Sequence, residues 1–224
     1  MNKRINIFVG SFGSGKTEIA INYSIYCRKS RDKVAIVDLD IVNPYFRTRE
    51  RRNALNLKGV KVIAPEGKLT YADVPLISPE IKGLIQNPDY CLILDVGGDD
   101  TGTVVLSNFN YFLKDLDYEM LLVVNSYRPF TQSVPQIKQM AQEIENRSRL
   151  KIHGIISNPN LSRQTNEETI KKGHILIKQA ALKLNLPVRF ICVDKRFSKK
   201  IKSESFEEPI FYIKRFMHLP WDLL

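Results

Sequence analysis

The chain has 224 residues, enough for one α/β domain with a sizeable core and too few for two comfortable ones. With 43% hydrophobic and 26% charged residues it has a globular composition, and its longest apolar runs, Met120–Val124 and Cys91–Leu94, fall far short of the roughly 20 residues that span a bilayer, which excludes a transmembrane helix. The formal charge of +10, from 34 basic and 24 acidic residues, leaves room for a polyanionic partner, although part of it can serve bound phosphates and the rest a solvated face.

Met1-Asn2-Lys3-Arg4 runs straight into the apolar stretch Ile5-Asn6-Ile7-Phe8-Val9 without a signal-peptide region. The three cysteines, Cys27, Cys91 and Cys192, are far apart and mostly within apolar segments, so the expectation is a cytoplasmic protein with buried thiols and no cysteine-ligated metal. The first stretch reads as a strand. It leads into Gly10-Ser11-Phe12-Gly13-Ser14-Gly15-Lys16-Thr17, followed by Glu18-Ile19-Ala20, which fits the phosphate-loop pattern at every fixed position. Glycines let the backbone curl around a phosphate chain with its N–H groups pointing inward, and the following helix presents its positive end. Lys16 is then placed to reach the β- and γ-phosphates, and the Thr17 hydroxyl to ligate a magnesium ion bridging them.

Residues 16 to about 30 read as a helix with Ile19, Ala20, Tyr23 and Cys27 on one face, and Lys33–Asp38 as a buried strand closed by Asp38-Leu39-Asp40. Pro44 stops any regular element from passing through the stretch that follows. Val60–Ala64 is a short strand, residues 65 to 78 are a long connection, and Ser78-Pro79-Glu80 caps a brief helix. Tyr90–Asp95 is a nearly continuous apolar strand ending on a carboxylate, with Val96-Gly97-Gly98-Asp99-Asp100-Thr101-Gly102 as the turn beyond it. Helices near 103–115, 132–147 and 167–184 then alternate with strands at Glu119–Asn125, Lys151–Ser157 and Val188–Val193, and Glu207–Leu224 reads as a short amphipathic helix and a tail. Strands that are apolar throughout and alternate with helices predict a three-layer α/β/α sandwich on a mainly parallel, doubly wound sheet: a single P-loop NTPase domain over residues 1–224. Ligands in such folds bind beyond the carboxyl ends of the strands, where every unusual cluster of this chain falls.

Taken with Asp38-Leu39-Asp40 and Asp95-Val96-Gly97-Gly98, the phosphate loop resembles that of the CobQ/CobB/MinD/ParA group of SIMIBI-class P-loop proteins. The resemblance implies that Asp38 helps hold the magnesium shell, Asp40 orients the attacking water, Asp95 binds a magnesium-bound water and Gly98 senses the γ-phosphate. Gly10 to Glu18 would hold the phosphates. Asn158, in Ile155-Ile156-Ser157-Asn158-Pro159-Asn160, matches the adenine-reading Asn of the group, with Asp194 flanking the base, although an Asn before Pro is also an ordinary turn residue. Guanine readers of the Asn-Lys-x-Asp kind are absent, since Asn125-Ser126-Tyr127-Arg128 lacks both Lys and Asp, and this favours ATP. The chain departs from the group at Ser11, where the division and partition ATPases carry a second lysine that crosses to the partner subunit. Arg47, Arg49 or Arg128 could supply a cation instead.

The resulting expectation is a Mg-ATP-dependent switch or assembly ATPase acting on a protein partner, with homodimerisation open. The alternatives are a dethiobiotin-synthetase-like kinase or ligase using the region from Glu66 to Pro79, and a metallochaperone-type GTPase. A DNA-binding role would use the basic segments at 47–52 and 195–202, and nucleic acid is the lesser expectation. A membrane role would use Phe211–Phe216, which as a packing helix needs no membrane.

Overall fold

The computed structural model describes residues 3–40, 48–64, 78–97 and 100–217, without the side chains of residues 49, 50, 100 and 101. Strand β1 (Ile5–Val9) is buried along its whole length and sits inside an eight-stranded sheet, together with β2 (Val34–Leu39), β3 (Val60–Ile63), β4 (Cys91–Val96), β5 (Tyr118–Val124), β6 (Gly154–Ser157), β7 (Val188–Asp194) and β8 (Ile210–Ile213). The order is β3-β2-β4-β1-β5-β6-β7-β8, and every neighbouring pair is parallel. Helices α1 (Lys16–Cys27) and α2 (Arg52–Asn56), and α3 (Pro79–Gln86), α4 (Asp100–Leu113), α5 (Val134–Ser148) and α6 (Glu167–Leu184) connect the strands.

Alternation along the strands divides the core in two. Ile5, Ile7 and Val9 pack with residues of α3, α4, α5 and α6, whereas Phe8 packs with Ile19, Ala20 and Tyr23 of α1 and Leu55 of α2. The sheet is therefore covered on both faces, as the continuous apolar strands required. β1 lies between β4 and β5, where the order of the chain through the sheet reverses, so the loop leaving β1 opens into the crevice at which such sheets take their ligands.

Most expected elements are present with ends shifted by a few residues. The predicted helix over residues 167–184 coincides with α6, which Asn166 caps through its side chain and Asn185 ends in the left-handed region at φ 53°. Ser78 caps α3, with Pro79 at its first position. The C-terminal expectation is corrected: Ile210–Ile213 forms a parallel edge strand on β7 instead of an amphipathic helix. Pro209 disfavours a helix through this point, its carbonyl accepts from Ile191 N at 2.9 Å, and the open edge of β7 needs a strand. The 3₁₀ turn Thr48–Arg51 and α2 were not foreseen, and the sixth strand begins at Gly154 instead of Lys151. The turn at Pro44, the long connection before Ser78, Gly98 and the C-terminal tail beyond Met217 lie outside the described residues.

Candidate functional site

The glycines of the loop adopt conformations that side chains resist: φ is 145° at Gly10, 72° at Gly13 and 94° at Gly15. A Cβ on Gly10 would stand 2.3 Å from the Val123 carbonyl oxygen, and one on Gly15 would stand 2.4 Å from Asn158 Nδ2. The curl is closed by Ser14 N donating to the Ser11 carbonyl at 3.2 Å. Lys16 is buried, and its Nζ donates to the same Ser11 carbonyl at 2.9 Å, which marks the end of the loop where a phosphate-binding ammonium would act. Gly15 is the N-cap of α1 and offers no side-chain cap to the first-turn amides.

Behind the loop, β2 and β4 bring Asp38 and Asp95 side by side as register partners. Asp95 is fully buried and its carboxyl is pushed up to about 7, first by burial and then by the charge of Asp38; the Thr48 and Thr17 hydroxyls and the Lys16 charge pull the other way. Thr48 Oγ1 donates to Asp95 Oδ2 at 2.8 Å, and Asp38 Oδ1 accepts from Asp40 N at 3.1 Å. Among the described residues Asp95 Oδ1, Ser11 Oγ and Ser14 Oγ are buried with no hydrogen-bond partner. Buried polar atoms are nearly always satisfied, and these three lie on the loop and on the carboxylate behind it, where a ligand would supply their partners. Hard oxygens from Thr17, Asp38 and Asp95 suit magnesium. Among the described residues no group of three or more His, Cys, Asp or Glu side chains is arranged to hold a metal ion by itself.

A cavity of about 590 Å³ runs from Lys16, Thr17 and Asp40 to Asn158, Asp194 and Arg196. It joins most of the expected residues, although three are engaged in ways the sequence did not reveal. Asn158 donates through Nδ2 to the Ser14 carbonyl at 2.7 Å and so clasps the phosphate loop to β6. The Glu18 carboxylate accepts from Phe216 N at 2.6 Å and Met217 N at 3.0 Å, tying the C-terminal segment to the start of α1; burial pushes this carboxyl up to about 6. Asp194 Oδ1 accepts from Arg196 N at 2.9 Å and caps the following 3₁₀ turn. Phe12, at the tip of the loop, is exposed.

Other residues at the cavity or behind its wall were not singled out as site residues. Asn22 exchanges hydrogen bonds of 2.8 Å with both the N–H and the carbonyl of Lys214, imitating a strand partner, and Ile213, Arg215 and Met217 close one side of the cavity. Asn125 accepts from Tyr127 N and Asn160 N at 3.1 Å each, which makes it a clamp between two loops. Only Asn125 carried a legible signal, as an Asn at a strand end.

No protein-family model matches the sequence, and no curated protein matches it. Solved structures do. Over 85% of this chain and 62% of its own, the cell division protein FtsY of Thermotoga maritima superposes with a TM-score of 0.62 at 20% identity. The signal recognition particle 54 kDa protein of Aeropyrum pernix K1, in complex with GDP, gives 0.55 at 19% identity over 84% of this chain and 40% of its own. The signal recognition particle receptor FtsY of Elizabethkingia anophelis, also with GDP, gives 0.54 at 15% identity over 86% and 58%. This chain thus spans between 40% and 62% of the length of these proteins. The all-parallel sheet with helices on both faces is the architecture shared with these proteins, and the chain has an α/β P-loop NTPase fold.

Proposed function

We propose that this protein binds Mg-ATP and acts as a nucleotide-dependent switch or assembly ATPase for a protein partner in the cytoplasm, in the manner of the CobQ/CobB/MinD/ParA group. The observation that carries the reading is the strained glycine cradle around the Lys16 ammonium, backed by the orphaned carboxylate oxygen of Asp95. Lys16 and the first-turn amides of α1 would offset the triphosphate charge, and Thr17 with the Asp38–Asp95 pair would hold a magnesium ion. Magnesium, when bound, neutralises charge developing on the transferred phosphoryl group. Asp40, buried and on the cavity wall, orients the attacking water, and Gly98 senses the γ-phosphate.

The competing reading is GTP. Asp194 lies at the far end of the cavity with the paired acceptors that a guanine edge requires, and two of the similar proteins were solved with GDP. Against it, one Asp194 oxygen already serves Arg196 N and the other lies 3.6 Å from Arg196 Nε. Calorimetric titration decides between them: Mg-ATP is expected to bind more tightly than Mg-GTP, and equal or tighter GTP binding overturns the adenine assignment. In the same assay Lys16→Ala abolishes tight triphosphate binding. Asp40→Ala keeps binding and loses hydrolysis, because a water-orienting carboxylate acts mainly in the transition state.

A further inference from the structure

Ser11 leaves the front of the phosphate loop uncharged, yet a guanidinium lies directly against it. Arg128 Nε donates to the Gly13 carbonyl at 3.0 Å, and a Cβ on Gly13 would meet Arg128 Nε at 3.2 Å and its Cδ and Cζ at 3.5 Å. The glycine at this position thus serves the arginine as well as the curl. The loop that carries Arg128 is stiff. Arg128 N donates to the Asn125 carbonyl at 3.1 Å, and the buried Thr131 Oγ1 reaches the carbonyls of Asn125 at 2.7 Å and Arg128 at 3.0 Å. Arg128 lines the same cavity as Lys16, Thr17 and Gly13.

We propose that Arg128 supplies the second cation of the phosphate site from within the same chain, gripping phosphate oxygens with its Nη groups while Nε holds Gly13. The proposal rests on the nucleotide reading above and adds a residue to it. A guanidinium carries five donors in a fixed fork, so one bond to Gly13 leaves a bidentate face for a phosphate, which a lysine at this distance could not offer. The cation completes the site without a partner subunit.

The test measures adenosine, ADP and ATP, the last two with magnesium, by direct calorimetric titration of the parent protein, Arg128→Ala, Arg128→Lys and Lys16→Ala. Arg128→Ala is expected to weaken ADP and ATP by about tenfold and leave adenosine within about twofold, with Arg128→Lys recovering only a small part, because the fork geometry is lost. Equal losses on all three ligands, or none on the phosphorylated ones, overturn the proposal, since an arginine that merely props the loop does not discriminate by phosphate. If Arg128→Ala does not fold, Arg128→Lys alone decides: full parental affinity for ATP overturns the fork. Unchanged ATP binding by Lys16→Ala sinks the nucleotide reading itself, an outcome distinct from failure of Arg128 alone.

Discussion

Gly15 and Asn158 lock together: a left-handed glycine on the loop and an amide that fills the space its Cβ would need. Gly15→Ala therefore meets both a strained φ, worth about 1–2 kcal/mol, and a clash with a nitrogen that holds Ser14. We expect it to lose nucleotide binding and to unfold at lower temperature. Asn158→Ala removes only the clasp and should cost about 1–2 kcal/mol in urea unfolding while weakening nucleotide several-fold; an Asn158→Ala protein with parental stability and affinity removes the clasp from the account. The loop itself was legible because glycine, lysine and threonine spacing is a local property. Asn158 as a clasp was not, because its partner lies 144 residues earlier in the chain. Glu18 shows the same limit: an acid in the first turn of a helix reads as a phosphate neighbour, and its actual acceptors' partners are main-chain N–H groups 198 and 199 residues away.

Between elements, His174 joins α6 to the end of β6 and to the segment before β8. Its Nδ1 pairs with Ser157 Oγ at 3.1 Å and its Nε2 with Glu208 Oε2 at 3.0 Å. Burial holds its pKa below the ordinary 6.5, opposed by Glu208 and Glu207 and aided by Lys178, while the Phe206 ring covers it at 5.3 Å. The unfolded imidazole therefore takes up a proton more readily than the folded one, so the stability this residue contributes is complete above pH 6.5 and is lost as pH falls below it. Asp95 and Glu18, whose carboxyls burial pushes up, stabilise in the opposite direction over the same range and do so in parent and variant alike, so the readout is the difference: from pH 7.5 to 5 the melting temperature of the parent should lose ground relative to that of His174→Gln. An identical slope in both shifts the effect to His153, which burial also lowers. Element type was readable wherever caps and periodicity agreed, as in α6. The strand at Ile210–Ile213 was not, because an apolar stretch this short fits a helix stripe or a sheet edge equally, and only the unfilled side of β7 decides.

On the scale of the whole molecule, the +10 charge is distributed unevenly in function. Lys16, Arg128 and Arg196 face the cavity, whereas Lys199 and Lys200 are exposed beside the buried anchor Ile201. With its second cation in cis, the protein should stay monomeric with ATP and magnesium, hydrolyse slowly, and speed up when a protein partner binds. Light scattering across a range of concentrations checks the first point; an ATP-dependent dimer at micromolar protein returns the cross-subunit arrangement to the account. Double-stranded DNA should bind only weakly at about 0.15 M salt, where purely electrostatic contacts fade. The position of β1 also sets a timetable for folding. Ile5 pairs with Leu92 on one side and Tyr118 on the other, so the strand that ends in the phosphate loop acquires its neighbours only after long loops have closed. The earliest functional motif in the chain becomes one of the last to be competent during refolding, and the recovery of nucleotide affinity is a clock for the slowest step.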